Sequence, residues 1–203
     1  MNKNIILWAI AALFALAITG CSSKSSSETA EADTVTVDSI LANPDSYVGQ
    51  TVTIEGVVSH LCKHGGRKAF LLGSDENSMI RCDATAEMGN VFPQETIHQP
   101  LRVTGVVMES RLDENTIRQL EQDRQGQLER IAEQQGEEEA ANYQNAPTGC
   151  EPERKVAGQE NVETFAAQMA DYRRRIAERD SLEGKPYLST YYIQATAYEI
   201  LPQ

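Results

Sequence analysis

Two segments constrain this chain more than any others. Val52-Thr53-Ile54-Glu55-Gly56-Val57-Val58 and Leu101-Arg102-Val103-Thr104-Gly105-Val106-Val107 are β-branched and apolar with polar residues interleaved, and each carries a glycine near its middle. In the first, Val52, Ile54, Gly56 and Val58 share one face, with Thr53, Glu55 and Ser59 on the other. That alternation predicts a half-buried strand. A glycine inside a strand marks a bend or a close backbone approach. Two strands built this way predict a small, strongly curved barrel.

The other elements follow from pattern and punctuation. Asp38 is expected to cap a short helix over 39–43, stopped before Pro44. Lys68 to Gly73 predicts a second strand after a Gly65-Gly66 turn. Met79 to Ala84 predicts a third after the Ser74-Asp75-Glu76-Asn77 turn. Residues 85–99 read as a loop with one helical turn, before a fourth strand over Leu101 to Met108. Helical spacing of Ile117, Leu120, Leu128 and Ile131 predicts a helix over Asn115 to Gln135. The glycines and prolines of 136–158 read as a loop. A second helix, capped by Asn161, is expected to present Val162, Phe165, Ala166, Met169, Tyr172 and Ile176 as its apolar stripe. Its Arg173-Arg174-Arg175 run is an anion-site candidate, but a solvated helix end accounts for it more simply. Tyr187 to Leu201, rich in aromatic and β-branched residues, predicts the last strand.

The fold class read from this order is mainly β with a helical insertion: a five-stranded barrel with an α-helical hairpin between strands four and five, at about 112–183. Five strands with a connector after the third resemble the OB-fold. The residues carrying that resemblance are the two glycine-bearing strands and the final strand from Tyr192 to Leu201. The stretch Ile40-Leu41-Ala42-Asn43-Pro44-Asp45-Ser46-Tyr47-Val48-Gly49-Gln50-Thr51-Val52 is similar to that of small OB-type (tRNA-anti-like) lipoproteins of the Bacteroidetes. The resemblance covers 34–110 and 187–201 and does not account for the insertion. OB-type barrels host many functions, so the fold alone implies none.

The first twenty-one residues carry a second resemblance. Lys3 gives a positive start, 5–18 is an unbroken apolar run, and Thr19-Gly20 leads into Cys21. A short apolar run with a cationic start and a small-residue cut site is a targeting pattern, and the run is shorter than the roughly 20 residues of a membrane span. It resembles the signal peptide and lipobox of bacterial lipoproteins, which implies cleavage before Cys21 and a diacylglycerol on its thiol. The implied domains are a signal peptide over 1–20, the lipidated cysteine and a Ser-rich tether over 21–33, and the barrel domain over 34–203. Ser22 resembles an outer-membrane sorting address.

Charge narrows the partners. The 203-residue chain carries 18 Lys and Arg against 30 Asp and Glu, a net −12. Nucleic-acid binding rests on neutralising phosphates with basic residues, so an acidic chain is a poor candidate for it. Anionic headgroups would repel the chain, which leaves the lipid on Cys21 as the membrane contact.

One constellation carries chemistry. His60, Cys62 and His64 stand two residues apart and continue the even-numbered face of the first strand. If that strand persists, all three point into the mouth of the barrel. If Gly65-Gly66 is a two-residue turn, Cys62 faces Ala69; if 74–77 is a four-residue turn, Ala69 faces Cys82. Alternate strands lie about 9.5 Å apart, and a disulfide needs α-carbons within about 7 Å, so in this register Cys62 and Cys82 do not bond directly. Three readings stay open. His60, Cys62, His64 and Cys82 are the ligand types of a zinc, copper or haem site or a thiol-redox centre. Cys62, Cys82 and Cys150 are disulfide candidates in an oxidising compartment. The cysteines also pack well as small apolar residues. Cys62-Lys63-His64-Gly65-Gly66-Arg67-Lys68 is similar to a recurring hairpin of the OB-type lipoproteins, where a cysteine is expected after the last lysine; Ala69 stands there instead. Lys63, Arg67 and Lys68 make this hairpin a basic spot and a candidate anion site. His98, in a polar loop, reads as structural.

No GxSxG, HExxH or Gly-rich phosphate loop is present. The expectation is a non-enzymatic, lipid-anchored binding module of the bacterial envelope, in the outer membrane, with no cofactor. Its helical insertion would be a contact arm for an envelope protein partner. The alternative is the metal, haem or thiol-redox protein described above.

Overall fold

The computed structural model describes residues 33–63 and 65–202. The expected leader, the expected lipidation site Cys21 and His64 lie outside the described residues. Six strands and five α-helices follow in the order β1 (Asp33–Val35), α1 (Val37–Ala42), β2 (Thr51–Leu61), β3 (Lys68–Leu72), β4 (Met79–Ala84), β5 (Pro100–Leu112), α2 (Glu114–Gln135), α3 (Glu137–Asn145), α4 (Glu151–Val156), α5 (Phe165–Glu183) and β6 (Leu188–Ile200). Among the described residues no helix is long and apolar enough to cross a membrane.

The sheet runs β1-β2-β3-β4-β6-β5 and closes through an additional β2–β5 pairing. The closed part, β2-β3-β4-β6-β5-β2, has antiparallel neighbours except for the parallel β4–β6 pair. That is the strand order of an OB-fold barrel, with the insertion between its fourth and fifth strands. Val52, Ile54, Val58, Leu71, Ile80, Leu101, Val103 and Ile193 fill the interior.

The two mid-strand glycines act where the barrel is tightest. A Cβ on Gly56 would stand 2.4 Å from the Leu72 carbonyl oxygen, and one on Gly105 would stand 2.4 Å from that of Gln194. The β5–β6 register also shifts at Thr104/Gly105, where a bulge sharpens the curve.

Several expected boundaries move, each for a local reason. Thr36, not Asp38, caps α1: its hydroxyl accepts from Ser39 N at 3.1 Å. Asp38 instead accepts from the Ser74 backbone N–H and hydroxyl, both at 2.9 Å, and pins the β3–β4 turn. Thr164, not Asn161, caps α5 by accepting from Ala167 N at 3.1 Å. Ala166 is exposed on α5, while Phe165, Met169 and Ile176 are buried. β1, three residues at the end of the expected tether, pairs in parallel with β2. β5 continues to Leu112 because β6 pairs with it along its whole length, Leu101↔Ile200 to Leu112↔Leu188.

The insertion has four helices rather than two. Residues 136–158, expected to be a loop, hold α3 and α4. The glycines and proline mark helix ends there. Gly136, at φ +98°, closes α2, and Pro152 sits in the first turn of α4, where its missing N–H costs nothing. Three glutamates, 137–139, open α3 and favour its positive end. Ile117, Phe165, Met169 and Ile176 form a second core with Leu112 and Leu188 of the β5–β6 ribbon. The α2–α5 pair thus stands on the extension of the barrel's longest hairpin.

Candidate functional site

A bulge decides where the predicted site residues go. Val58 pairs with Leu71 but His60 pairs with Phe70, so one extra residue of β2 is accommodated at Ser59. The parity of the strand reverses there. Leu61 then faces Ala69 and enters the core, and His60 turns to the outer face, its ring 6.0 Å from that of Phe70. The expectation that the even-numbered residues point together into the barrel mouth is thereby corrected. The second turn has the expected register: Gly73 N donates to Ser78 O at 2.7 Å and Ala69 faces Cys82. The first turn is longer than two residues. Its six residues, 62–67, put Leu61 rather than Cys62 opposite Ala69.

Cys82 is fully buried in the barrel core, and burial pushes its thiol strongly up. It does not meet His60. Among the described residues no disulfide forms and no group of three or more His, Cys, Asp or Glu side chains converges on a metal-sized point. What the structure does bring together is Cys62, His60 and Cys150. All three line one cleft of about 1220 Å³ between the outer face of the barrel and the insertion. Burial raises the Cys150 thiol, and the nearby Cys62 adds to that rise.

The cleft has two walls. One is the end of β2, the first hairpin with Lys63, Arg67 and Lys68, and Met79 of β4. The other is α2, α3, the loop from Ala146 to Cys150, and α4. Ion pairs hold the walls together. Glu153 of α4 accepts from Lys68 Nζ at 2.6 Å and lies 3.4 Å from Arg81 Nη1. Arg81 also pairs with Asp83 at 2.8 Å and stacks 4.5 Å over the Tyr192 ring. Burial still leaves the Asp83 carboxyl above the ordinary carboxylate value. Lys155 donates to the Glu76 carbonyl at 2.7 Å. The loop carrying Cys150 is set from behind by buried Gln168, whose Oε1 accepts from Thr148 N at 2.8 Å while its Nε2 donates to Gln159 Oε1 at 3.0 Å.

The arginine run is absorbed internally. Arg173 bridges Glu121 at 2.8 Å and Glu114 at 3.0 Å, Arg174 pairs with Asp171 at 2.7 Å, and Arg175 donates to the Ala157 carbonyl at 2.7 Å. All three lie mid-helix rather than at a helix end: Arg173 and Arg175 bind α5 to its neighbours, while Arg174 is solvated and pairs only within α5, with Asp171 and Glu178. His98 adopts φ +61° and its N–H donates to Val58 O at 2.9 Å, closing the loop onto β2.

One cleft residue escaped the sequence reading. Arg124 of α2 is only 6% exposed and lies between two rings, 4.2 Å from the centroid of Tyr143 and 4.3 Å from that of Phe165. An arginine in a Gln- and Glu-rich helix looks like a solvated residue. The aromatic partners that bury it arrive from α3 and α5, and local sequence does not reveal them.

No family model and no curated protein matches the chain. Among solved structures, the telomere capping protein Ten1 from Saccharomyces pombe is similar at 25% identity over 37% of this chain and 66% of that one, with a TM-score of 0.27. A putative aspartyl-tRNA synthetase from Leishmania major Friedlin is similar at 22% identity over 43% of this chain and 18% of that one, also with a TM-score of 0.27. Neither match spans two thirds of the neighbour. The strand order itself defines the class: an OB-like barrel bearing a helical insertion.

Proposed function

We propose that this protein is a lipid-anchored, non-enzymatic binding module of a bacterial envelope, held to the outer membrane through Cys21. Its ligand enters the cleft between the first hairpin and the insertion. The observation that carries this reading is the cleft itself, about 1220 Å³ on the outer face of β2, β3 and β4. OB barrels bind on that face, flanked by the first hairpin and the loop between the last two strands. Here the flanking loop has become four helices, of which α2, α3 and α4 wall the site. Their outer surfaces, with Leu182 78% exposed on α5, leave room for the envelope protein contact as well. The acidic balance of −12 argues against nucleic acid as the ligand.

The test is a photo-crosslinking residue at Gln127, in the cleft, against the same residue at exposed Glu133, in cells carrying the full chain. Adducts from position 127 alone support the reading. Equal labelling at both positions, or none at 127, overturns it. In the same cells Cys21→Ser removes lipid labelling; unchanged labelling refutes the anchor.

A second reading, a metal, haem or thiol-redox protein, is favoured by one observation: Cys62, Cys150 and His60 line the same cleft. Cys82 drops out of that set. Metal content and an absorbance scan of chelator-free protein from native membranes decide it; no stoichiometric metal and no haem band would refute it.

A further inference from the structure

Arg124 is a buried cation without a counter-ion. No carboxylate lies within ion-pair distance of it among the described residues, and one Nη donates to the Tyr143 carbonyl. A guanidinium has five N–H donors. Two rings cover its faces and favour its charge, but they offer nothing to its remaining edge. Burying such a group is costly unless a partner completes it.

The rest of the cleft has the same bias. Lys63 and Arg67 are exposed on the hairpin, and among the described residues no ion pair or side-chain hydrogen bond engages them. His60 Nε2 is buried with no hydrogen-bond partner. Of the acids that line the cleft, Glu153 is already taken by Lys68 and Arg81, while Asp123, which accepts from Gln119 at 2.8 Å, and exposed Glu151 keep their charge. On a molecule of net charge −12, five basic side chains, Lys63, Arg67, Lys68, Arg124 and Lys155, line this cavity against three acidic ones. Leu120, Met79, Tyr143 and Pro147 supply apolar lining beside them.

We infer that the cleft binds a small organic oxyanion, a carboxylate or a phosphomonoester with an apolar body, whose charged group completes the open edge of Arg124. Lys63 and Arg67 draw it in at the mouth. A planar guanidinium suits both carboxylate and phosphate because two N–H groups match two oxygens. This inference rests on the cleft being the binding site, and it adds the chemical class of the ligand.

The experiment is calorimetric titration of the full chain in detergent with phenyl phosphate, benzoate, inorganic phosphate and, as a neutral control, benzyl alcohol. One-to-one binding of an aromatic oxyanion at least about tenfold tighter than benzyl alcohol is expected, since hydrogen bonds to a charged partner carry that much. Phenyl phosphate against benzoate separates the two oxyanion classes. Arg124→Lys keeps the charge but loses the fork and the planar stacking, and should weaken oxyanion binding about tenfold without a matching loss for benzyl alcohol, which a merely structural role would not produce. Lys63→Ala with Arg67→Ala, on exposed residues that hold nothing in the fold, should weaken binding severalfold and flatten its salt dependence. Oxyanions binding no tighter than the neutral control overturn the inference, as does unchanged affinity in both variants. If that happens while Gln127 still crosslinks, only the ligand class has failed; if Gln127 is silent too, the cleft reading fails with it.

Discussion

Lys68 and Glu153 meet at 2.6 Å across the cleft, one on the first strand of the hairpin's return and the other on a helix 85 positions further along the chain. Arg81 joins the same carboxylate from β4 at 3.4 Å. One glutamate therefore ties two barrel strands to the insertion, and the geometry of the cleft depends on it.

Glu153→Gln should loosen α4 against the barrel more than Lys68→Met does, because it leaves two cations facing each other instead of one carboxylate with a remaining partner. The pair is about a third exposed, so its coupling in a double-mutant cycle should be no more than about 1 kcal/mol. Hydrogen exchange over 151–156 reads the local effect. Equal protection in both variants would show that the insertion docks through its apolar contacts alone.

Gly56→Ala and Gly105→Ala should each destabilise the barrel by about 1–3 kcal/mol, since the added methyl meets a carbonyl oxygen at 2.4 Å and the backbone must move. Gly126→Ala, in α2 with only the end of a flexible arginine at 3.7 Å, should be neutral or stabilising by comparison. Urea unfolding of the three variants checks this. Equal effects at all three would remove the close-approach explanation.

The cysteines should separate by accessibility. Cys150 is half-buried and should be alkylated in the native protein, whereas fully buried Cys82 should react only after unfolding. Diamide should oxidise Cys62 and Cys150 to one disulfide, the two thiols losing two protons and two electrons to the reagent. Peptide mapping that finds Cys82 in the bridge would contradict the placement of these residues.

Acid should release the insertion. The Arg173 hydrogen bond holds the Glu121 carboxyl below its ordinary value, and Arg111 does the same for Glu109. A carboxylate depressed in the folded state adds stability above its unfolded value, about 4.3, and that stability is lost as pH falls through the folded one. Asp83 has the opposite sign: raised by burial, its contribution is present at low pH and lost as pH rises, which offsets part of the decline. Melting temperature should therefore fall below about pH 4, and Glu121→Gln should shallow the fall. An unchanged slope in that variant would assign the acid sensitivity elsewhere.

Much of the barrel was legible because strand periodicity and burial coincide. Residues 79–84 form β4 as their place after the 74–77 turn predicts, and the glycine of each long strand marks a real close approach. The insertion was legible only as helical. Its glycines and prolines read equally as loop or as helix ends, and α3 and α4 are short enough that tertiary contacts decide them. The site was the least legible part. A single extra residue at Ser59 reverses the parity of β2, so His60 and Leu61 exchange the faces that simple alternation assigns them.

By itself the sequence determined the five barrel strands, the curvature demanded by Gly56 and Gly105, the acidic balance, and the basic character of the first hairpin. These are properties of local pattern and composition, and they survive wherever the segments are placed. The tertiary structure alone decided that Cys82 enters the core while Cys62 and Cys150 share a cleft, that Arg173 is consumed by Glu114 and Glu121, and that Arg124 is buried between Tyr143 and Phe165 with an edge still open. Each of those outcomes joins residues far apart in the chain, and only the closing of the barrel and the docking of the insertion bring them within reach.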